Sequence, residues 1–209
     1  MSFIVDQRDI VKYYSAMSSW SATQRYGIQP APGPLALVQD FLNTVAIASY
    51  GGDLLADAAL AAAWAADAVR SWSAQRGDQA AAPALTESDL AKLRALRGAL
   101  SGLIAGDPPG GSFSRSGTAA FAVSVTGEVR LEPTGRGWHW LASALWGEVL
   151  LSQRAGTWRR LKQCRNTDCG STFYDRSKNS GGVWCDVKTC GNAINLRASR
   201  ARRRAAAPA

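Results

Sequence analysis

Cys164, Cys169, Cys185 and Cys190 are the only cysteines in a chain of 209 residues, and all four fall in its last quarter. They are spaced C-x4-C, then fifteen residues, then C-x4-C. Two close thiolate pairs joined by a hairpin-sized insert is the layout of a zinc site. Each pair comes off a turn, and the insert lets the chain reverse and bring the pairs together. Spacing alone leaves two disulfides or free thiols as alternatives. The opening residues, MSFIVDQRDI, carry two acids and no basic stretch ahead of an apolar run. No signal peptide is therefore expected, and the expected compartment is the cytoplasm, where disulfides are rare. No apolar run reaches the ~18 residues of a membrane span, so no membrane partner is expected. Four protein ligands leave a metal no open position, so the expectation is one structural Zn2+ and no catalytic metal. Its role would be to fold a segment too small to bury its own core. Phe173, Tyr174 and Trp184 would form that mini-core, and Gly170 and Gly191 would supply the positive φ of metal-binding turns. Removing a cysteine is expected to unfold residues 161–204 while the rest of the chain persists.

Charge converges on the same segment. The net charge is +8. Residues 1–160 hold 14 Lys and Arg against 13 Asp and Glu, whereas residues 161–209 hold 10 against 3. A basic cluster on a neutral body is the footprint of a polyanion binder, with a solvated basic tail as the alternative. Residues 192–204 read as a helix in which Arg197, Arg200 and Arg204 share a face, with Arg203 beside it. Together with Arg202 and Lys188 they are the candidate nucleic-acid contacts, placed to meet phosphates. No pair of polar side chains is so placed that it names a base.

The rest of the chain reads as helical. A short helix is expected around 6–18, then a Pro-rich loop. Apolar residues at helical spacing predict a helix over 35–49, stopped by Gly51 and Gly52. The Ala-rich stretch 53–76 predicts a second, with Leu54, Leu55, Leu60, Trp64, Val69 and Trp72 inward. Thr86 and Asp89 fit a capping box opening a third, to about Ala105. Gly106–Gly117 is a loop. Residues 120–124 and 128–132 alternate about Thr126-Gly127 and predict a hairpin. A last helix is expected from Trp138 to about Arg154, with Trp140, Leu141, Leu145, Trp146, Val149 and Leu150 as its core face. The single histidine, His139, lies between two tryptophans and is read as packed or surface-exposed. No catalytic constellation is visible, so the chain is not expected to be an enzyme. Asp40, Asn43 and Arg97 would favour an enzyme or ligand sensor if they met in a pocket. Otherwise they brace helices.

Residues 161–204 resemble the CGNR-type zinc finger of bacterial proteins. The matching residues are Cys164, Cys169, Phe173, Asp175, Ser177, Asn179, Trp184, Cys185, Cys190, Gly191 and Asn192, followed by the arginine-rich helix. Upstream, the run from Leu35 to Thr44 looks like the opening of an ABATE-type helical domain. Asp89–Arg97 resembles its middle helix, and Trp158–Cys164 its junction with the finger. The resemblance implies a stress-induced transcription regulator that binds DNA. Two departures stand out: the family's arginine after Gly-Asn is Ala193 here, and the basic residues before Trp-Cys are Gly182 and Val183. Each lost cation removes a phosphate contact, so a module docking on the transcription machinery or another regulator is the alternative. The expected fold is mainly α with a β-hairpin: a helical N-terminal domain plus a small treble-clef-like zinc finger ending in a basic helix. The expected divisions are an arm over 1–34, an ABATE-like domain over 35–158, the finger over 159–204 and a tail over 205–209. The helical domain would sense a signal or form a homodimer.

Overall fold

A computed structural model describes residues 20–47, 51–107 and 117–205. The helix expected around 6–18 lies outside them, as does most of the 106–117 loop. Helix α1 (Ser21–Gln24) opens the described chain. A 3-10 turn over Gly33–Leu35, with Pro34 in its first positions, feeds helix α2 (Ala36–Leu42). A missing N–H costs nothing there. Trp20, Ala22, Ala31 and every residue of α2 are buried, so the segment 20–34 contributes these three side chains to the main core.

The helix expected to reach residue 49 ends at Leu42. Polar side chains take the Phe41 carbonyl of its last turn and the carbonyls of Asn43 and Val45 just past its end. The Thr44 hydroxyl donates to Phe41 O at 2.6 Å, and the Arg25 guanidinium donates to Asn43 O at 2.6 Å and to Val45 O at 3.0 Å. Capping of this kind satisfies the carbonyls that a helix end leaves without partners.

Helix α3 spans Ala58–Arg76, beginning five residues later than the Ala content suggests. Asp57 sets the start by accepting from Leu60 N at 2.8 Å, and Gly77, at φ 70°, ends the helix. Helix α4 (Glu87–Ala105) and helix α5 (Trp138–Arg154) have the expected limits. Leu60 and Leu150, expected inward, are about half exposed. Between α4 and α5, strands β1 (Ala119–Val123) and β2 (Val129–Pro133) pair antiparallel, with Phe121 opposite Leu131. Leu37, Phe41, Trp64, Trp72, Leu93, Leu100, Leu141 and Leu145 share one core.

Two three-residue strands, β3 (Leu161–Gln163) and β4 (Thr172–Tyr174), form a second antiparallel pair. They are too short to show as alternation in the sequence. Helix α6 (Asn192–Ala205) closes the described chain. No described helix is long and apolar enough to cross a membrane.

Candidate metal centre

The first cysteine pair sits in the turn between β3 and β4. Cys164 directly follows β3 and donates its N–H to Ser171 O at 2.8 Å. The loop then tightens on Asn166, whose carbonyl accepts from Cys169 N at 2.9 Å and from Gly170 N at 2.8 Å. Gly170 has φ 58°, the left-handed conformation this turn requires.

Of the second pair, Cys185 precedes a single helical turn and Cys190 lies within it. The Asp186 carboxylate accepts from Thr189 N at 2.8 Å and opens the turn over Val187–Gly191. That turn presents Cys190 and runs directly into α6. Gly191 does not have the expected positive φ; what it offers instead is room beside Trp184. A Cβ there would lie 3.2 Å from the Trp184 ring.

The four Sγ atoms lie within 4.8 Å of one another, with Cys169–Cys185 and Cys185–Cys190 both at 3.6 Å. A disulfide needs ~2.05 Å. Four thiolates ~2.3 Å from a tetrahedral zinc stand about 3.8 Å apart. Cys164, Cys169 and Cys190 are buried and Cys185 is half-buried. The four cysteines are positioned to chelate one structural Zn2+. Among the described residues no other cluster of this kind occurs.

Groups around the sulfurs suit thiolates. The Asn166 amide donates to Cys190 Sγ at 3.4 Å, and the Ser171 hydroxyl lies 3.2 Å from Cys169 Sγ. The thiols hold one another's protons unequally. Hydrogen bonding from Cys185 brings Cys169 down to about 5, while the same contact and burial push Cys185 up. Burial also raises Cys164. Cys169 is therefore the first of these to ionise, and a bound cation would draw the remaining protons off.

The insert between the pairs is held by Asp175. Its buried carboxylate accepts from Lys162 Nζ at 2.7 Å, Gly182 N at 2.7 Å and Ser177 N at 2.9 Å. Burial pushes this carboxyl up, but the Lys162 ammonium and the N–H donors outweigh it and hold the group far below the usual range. The same carboxylate accounts for Gly182. A Cβ at that position would meet Asp175 Oδ1 at 2.7 Å, so the backbone approach requires glycine.

The mini-core differs from expectation. Phe173 and Trp184 pack on the cysteines, as the sequence suggested, but Tyr174 turns toward the main core. Its place is taken by Tyr26 and Ile28 from the segment after α1, with Ile47 partly buried beside them. The finger is tied to the helices through α2. Asn43 accepts from Thr172 N at 2.8 Å and donates to Thr172 O at 2.9 Å, and Gln39 Nε2 donates to the same carbonyl at 3.2 Å.

Residues 160–203 match the CGNR zinc finger family. The match thus takes in β3, β4, both cysteine pairs and most of α6. No curated protein matches the chain. The ABATE-type reading of residues 35–158 rests on the sequence resemblance alone.

Beyond the CGNR finger's metal site, Asp40, Asn43 and Arg97 spend their hydrogen bonds on protein groups. Asp40 accepts from Thr23 N and Trp64 Nε1, and Arg97 pairs with Asp53 and Thr44. All three brace the core. The cations of the finger lie outside. Lys188, Arg200, Arg202, Arg203 and Arg204 are exposed; none of the described acids forms an ion pair with the four arginines, while Lys188 lies beside Asp186 and helps hold its carboxyl below the ordinary value. Arg197 pairs with Asp168, beside the first cysteine pair, and this contact ties α6 to the turn between β3 and β4.

Proposed function

We propose that this chain is a zinc-dependent transcriptional regulator that binds DNA through its C-terminal zinc module. In this reading residues 159–204 act as a treble-clef-like unit. A cysteine turn and a helix that starts at a cysteine share one ion. Residues 35–158 act as an ABATE-type helical domain that senses a signal, in a cytoplasmic protein of stress response. The observation that carries the reading is the row of exposed arginines on α6, Arg200, Arg202, Arg203 and Arg204, without acid partners among the described residues. The helix begins at the zinc site, so the metal fixes the direction in which it projects. Unpaired guanidinium groups on such a helix suit phosphate contacts along a groove. The exposed Arg197–Asp168 pair is a weak contact of the kind a phosphate displaces at little cost.

A protein-docking role is the second reading. Val187 and Leu196 are exposed apolar side chains at the start of the same helix. Ala193, Gly182 and Val183 stand where the CGNR finger resemblance leads one to expect cations. A regulator surface of this kind would meet the transcription machinery through apolar contact flanked by arginines.

The deciding experiment is fluorescence anisotropy of the zinc-loaded chain with random duplex DNA across a salt series. The expected result is affinity that falls steeply with salt, with the slope reduced in Arg200→Ala and Arg204→Ala by about one phosphate each. Absence of binding by the full chain at low salt would overturn the DNA reading in favour of docking.

A further inference from the structure

The β1–β2 hairpin has an unusual surface. All five residues of β1, Ala119–Val123, are exposed, and none is charged. Paired residues of an antiparallel ladder share a face, so Phe121, Leu131, Val123 and Val129 lie on one side. Leu131 meets α5 at Gly147, where a Cβ would stand 2.7 Å from its Cδ2. Phe121, Val123 and Val129 extend beyond that contact and are at least three-fifths exposed, with Val125 fully exposed at the tip.

Natural edge strands are blunted by charge, proline or cover. Strand β2 follows that rule, with Arg130 and Glu132. Strand β1 does not follow it, and its outer edge has no partner strand among the described residues. Ser124 N donates to Glu128 O at 2.8 Å, which fixes the alternation. Residues 120 and 122 face β2, and the N–H and C=O groups of Ala119, Phe121 and Val123 face outward.

We infer that β1 is the self-association edge of this protein and pairs antiparallel with β1 of a second copy. The pairing makes a continuous four-stranded sheet centred on Phe121. The sequence of the strand, AAFAV, suits a twofold. Centred on Phe121, the pairing sets Ala120 against Ala122 and Ala119 against Val123, so small residues meet small or branched ones. No like charges oppose each other across the axis, as they would if either charged position of β2 were used. Phe121 and Val123 are the large exposed side chains on β1 itself, and across the axis they come within reach of their counterparts, whereas Val129 on β2 and Val125 at the tip lie away from it, so the contact is a small one held chiefly by the backbone ladder. The inference does not depend on what the zinc module binds.

The test is sedimentation equilibrium of the full zinc-loaded chain at micromolar concentrations. The expected species has twice the 22.2 kDa mass of the chain. Phe121→Lys is expected to give the monomer, because it sets two ammonium groups against each other at the axis. Val123→Pro is expected to do the same while sparing the β1–β2 ladder, since it removes an outward N–H. Zinc content and far-ultraviolet circular dichroism confirm that both variants fold. A monomeric parent overturns the inference. A dimer that survives both substitutions overturns it equally, since its interface then lies elsewhere. A monomer whose β1 amides resist hydrogen exchange also overturns it, because a segment of the same chain then covers the edge.

Discussion

Asn43 joins two parts of the chain that lie 129 residues apart. Its Oδ1 accepts from Thr172 N, and its Nδ2 donates to Thr172 O and to the Thr23 hydroxyl at 3.2 Å. All these groups are buried. Asn43→Ala leaves the buried Thr172 N–H without its partner and takes one of two donors from Thr172 O, where Gln39 remains, at a cost of about 2 kcal/mol. Urea midpoints of the zinc-loaded protein measure the loss. A change below half a kcal/mol would mean that water replaces the amide without penalty. Asp40, three residues earlier, gives a pH signature. Burial raises its carboxyl to about 6, although the N–H groups of Thr23 and Trp64 oppose the shift. The folded state therefore holds a proton between pH 4 and 6 that the unfolded state releases. Its contribution is fully present below about 4 and is lost as pH rises through 6. Across that window the parent should lose roughly 3 kcal/mol relative to Asp40→Asn, measured by denaturation at each pH. The zinc ligands were legible as candidates because spacing and residue type mark them, and the sulfur–sulfur distances then separate a metal site from disulfides. Asn43 and Gln39 were not legible as finger contacts, because nothing local marks a side chain whose partner is a distant backbone.

At the scale of elements, Asp89 links two helix starts. Its Oδ2 accepts from Thr86 N at 2.8 Å in α4, and its Oδ1 accepts from Trp138 N at 3.2 Å at the start of α5. Burial alone would raise this carboxyl, but the donors at Thr86 and Trp138 hold it below the ordinary value. Asp89→Ala is expected to cost about 2 kcal/mol, more than a single cap, because both helix ends lose an acceptor. Thr86→Ala should cost less. Equal losses in the two variants would show that the bond to Trp138 N contributes nothing. Both helices were legible, since a capping box and an unbroken apolar period point the same way. The end of α2 was not. Its apolar residues continue at helical spacing past Leu42, and the stop comes from Arg25, the residue after α1, which takes the carbonyls of Asn43 and Val45. The pair of β3 and β4 was also missed, because three residues cannot display a period of two.

At the scale of the molecule, the question is whether the zinc module melts by itself. Read from sequence, it does, because a cysteine cluster with a small aromatic core looks self-contained. The contacts point the other way. Leu161 of β3 lies in the main core, and Tyr174 of β4 packs against it. Tyr26 and Ile28, from the chain between α1 and α2, pack on the cysteines. Arg176 donates to Pro30 O at 2.7 Å, and Asn43 holds Thr172. Losing the ion leaves four thiols, three of them buried, without their common partner. It also loosens Tyr26 and Phe173, which rest on them. Removing zinc should therefore lower the midpoint of one transition for the whole chain. A ligand present at a thousandfold over its dissociation constant stabilises by about 4 kcal/mol, and chelation removes that amount from the molecule as a unit. Scanning calorimetry with and without a chelator reads this directly, alongside one zinc per chain by elemental analysis and none in Cys190→Ser. A low-temperature transition that appears on chelation beside an unmoved main transition would show that the finger unfolds alone and that its contacts with α2 are weak. A single lowered transition means that zinc loss reaches the helical core through Asn43 and Tyr26, so the metal stabilises the fold as a whole as well as the direction of α6.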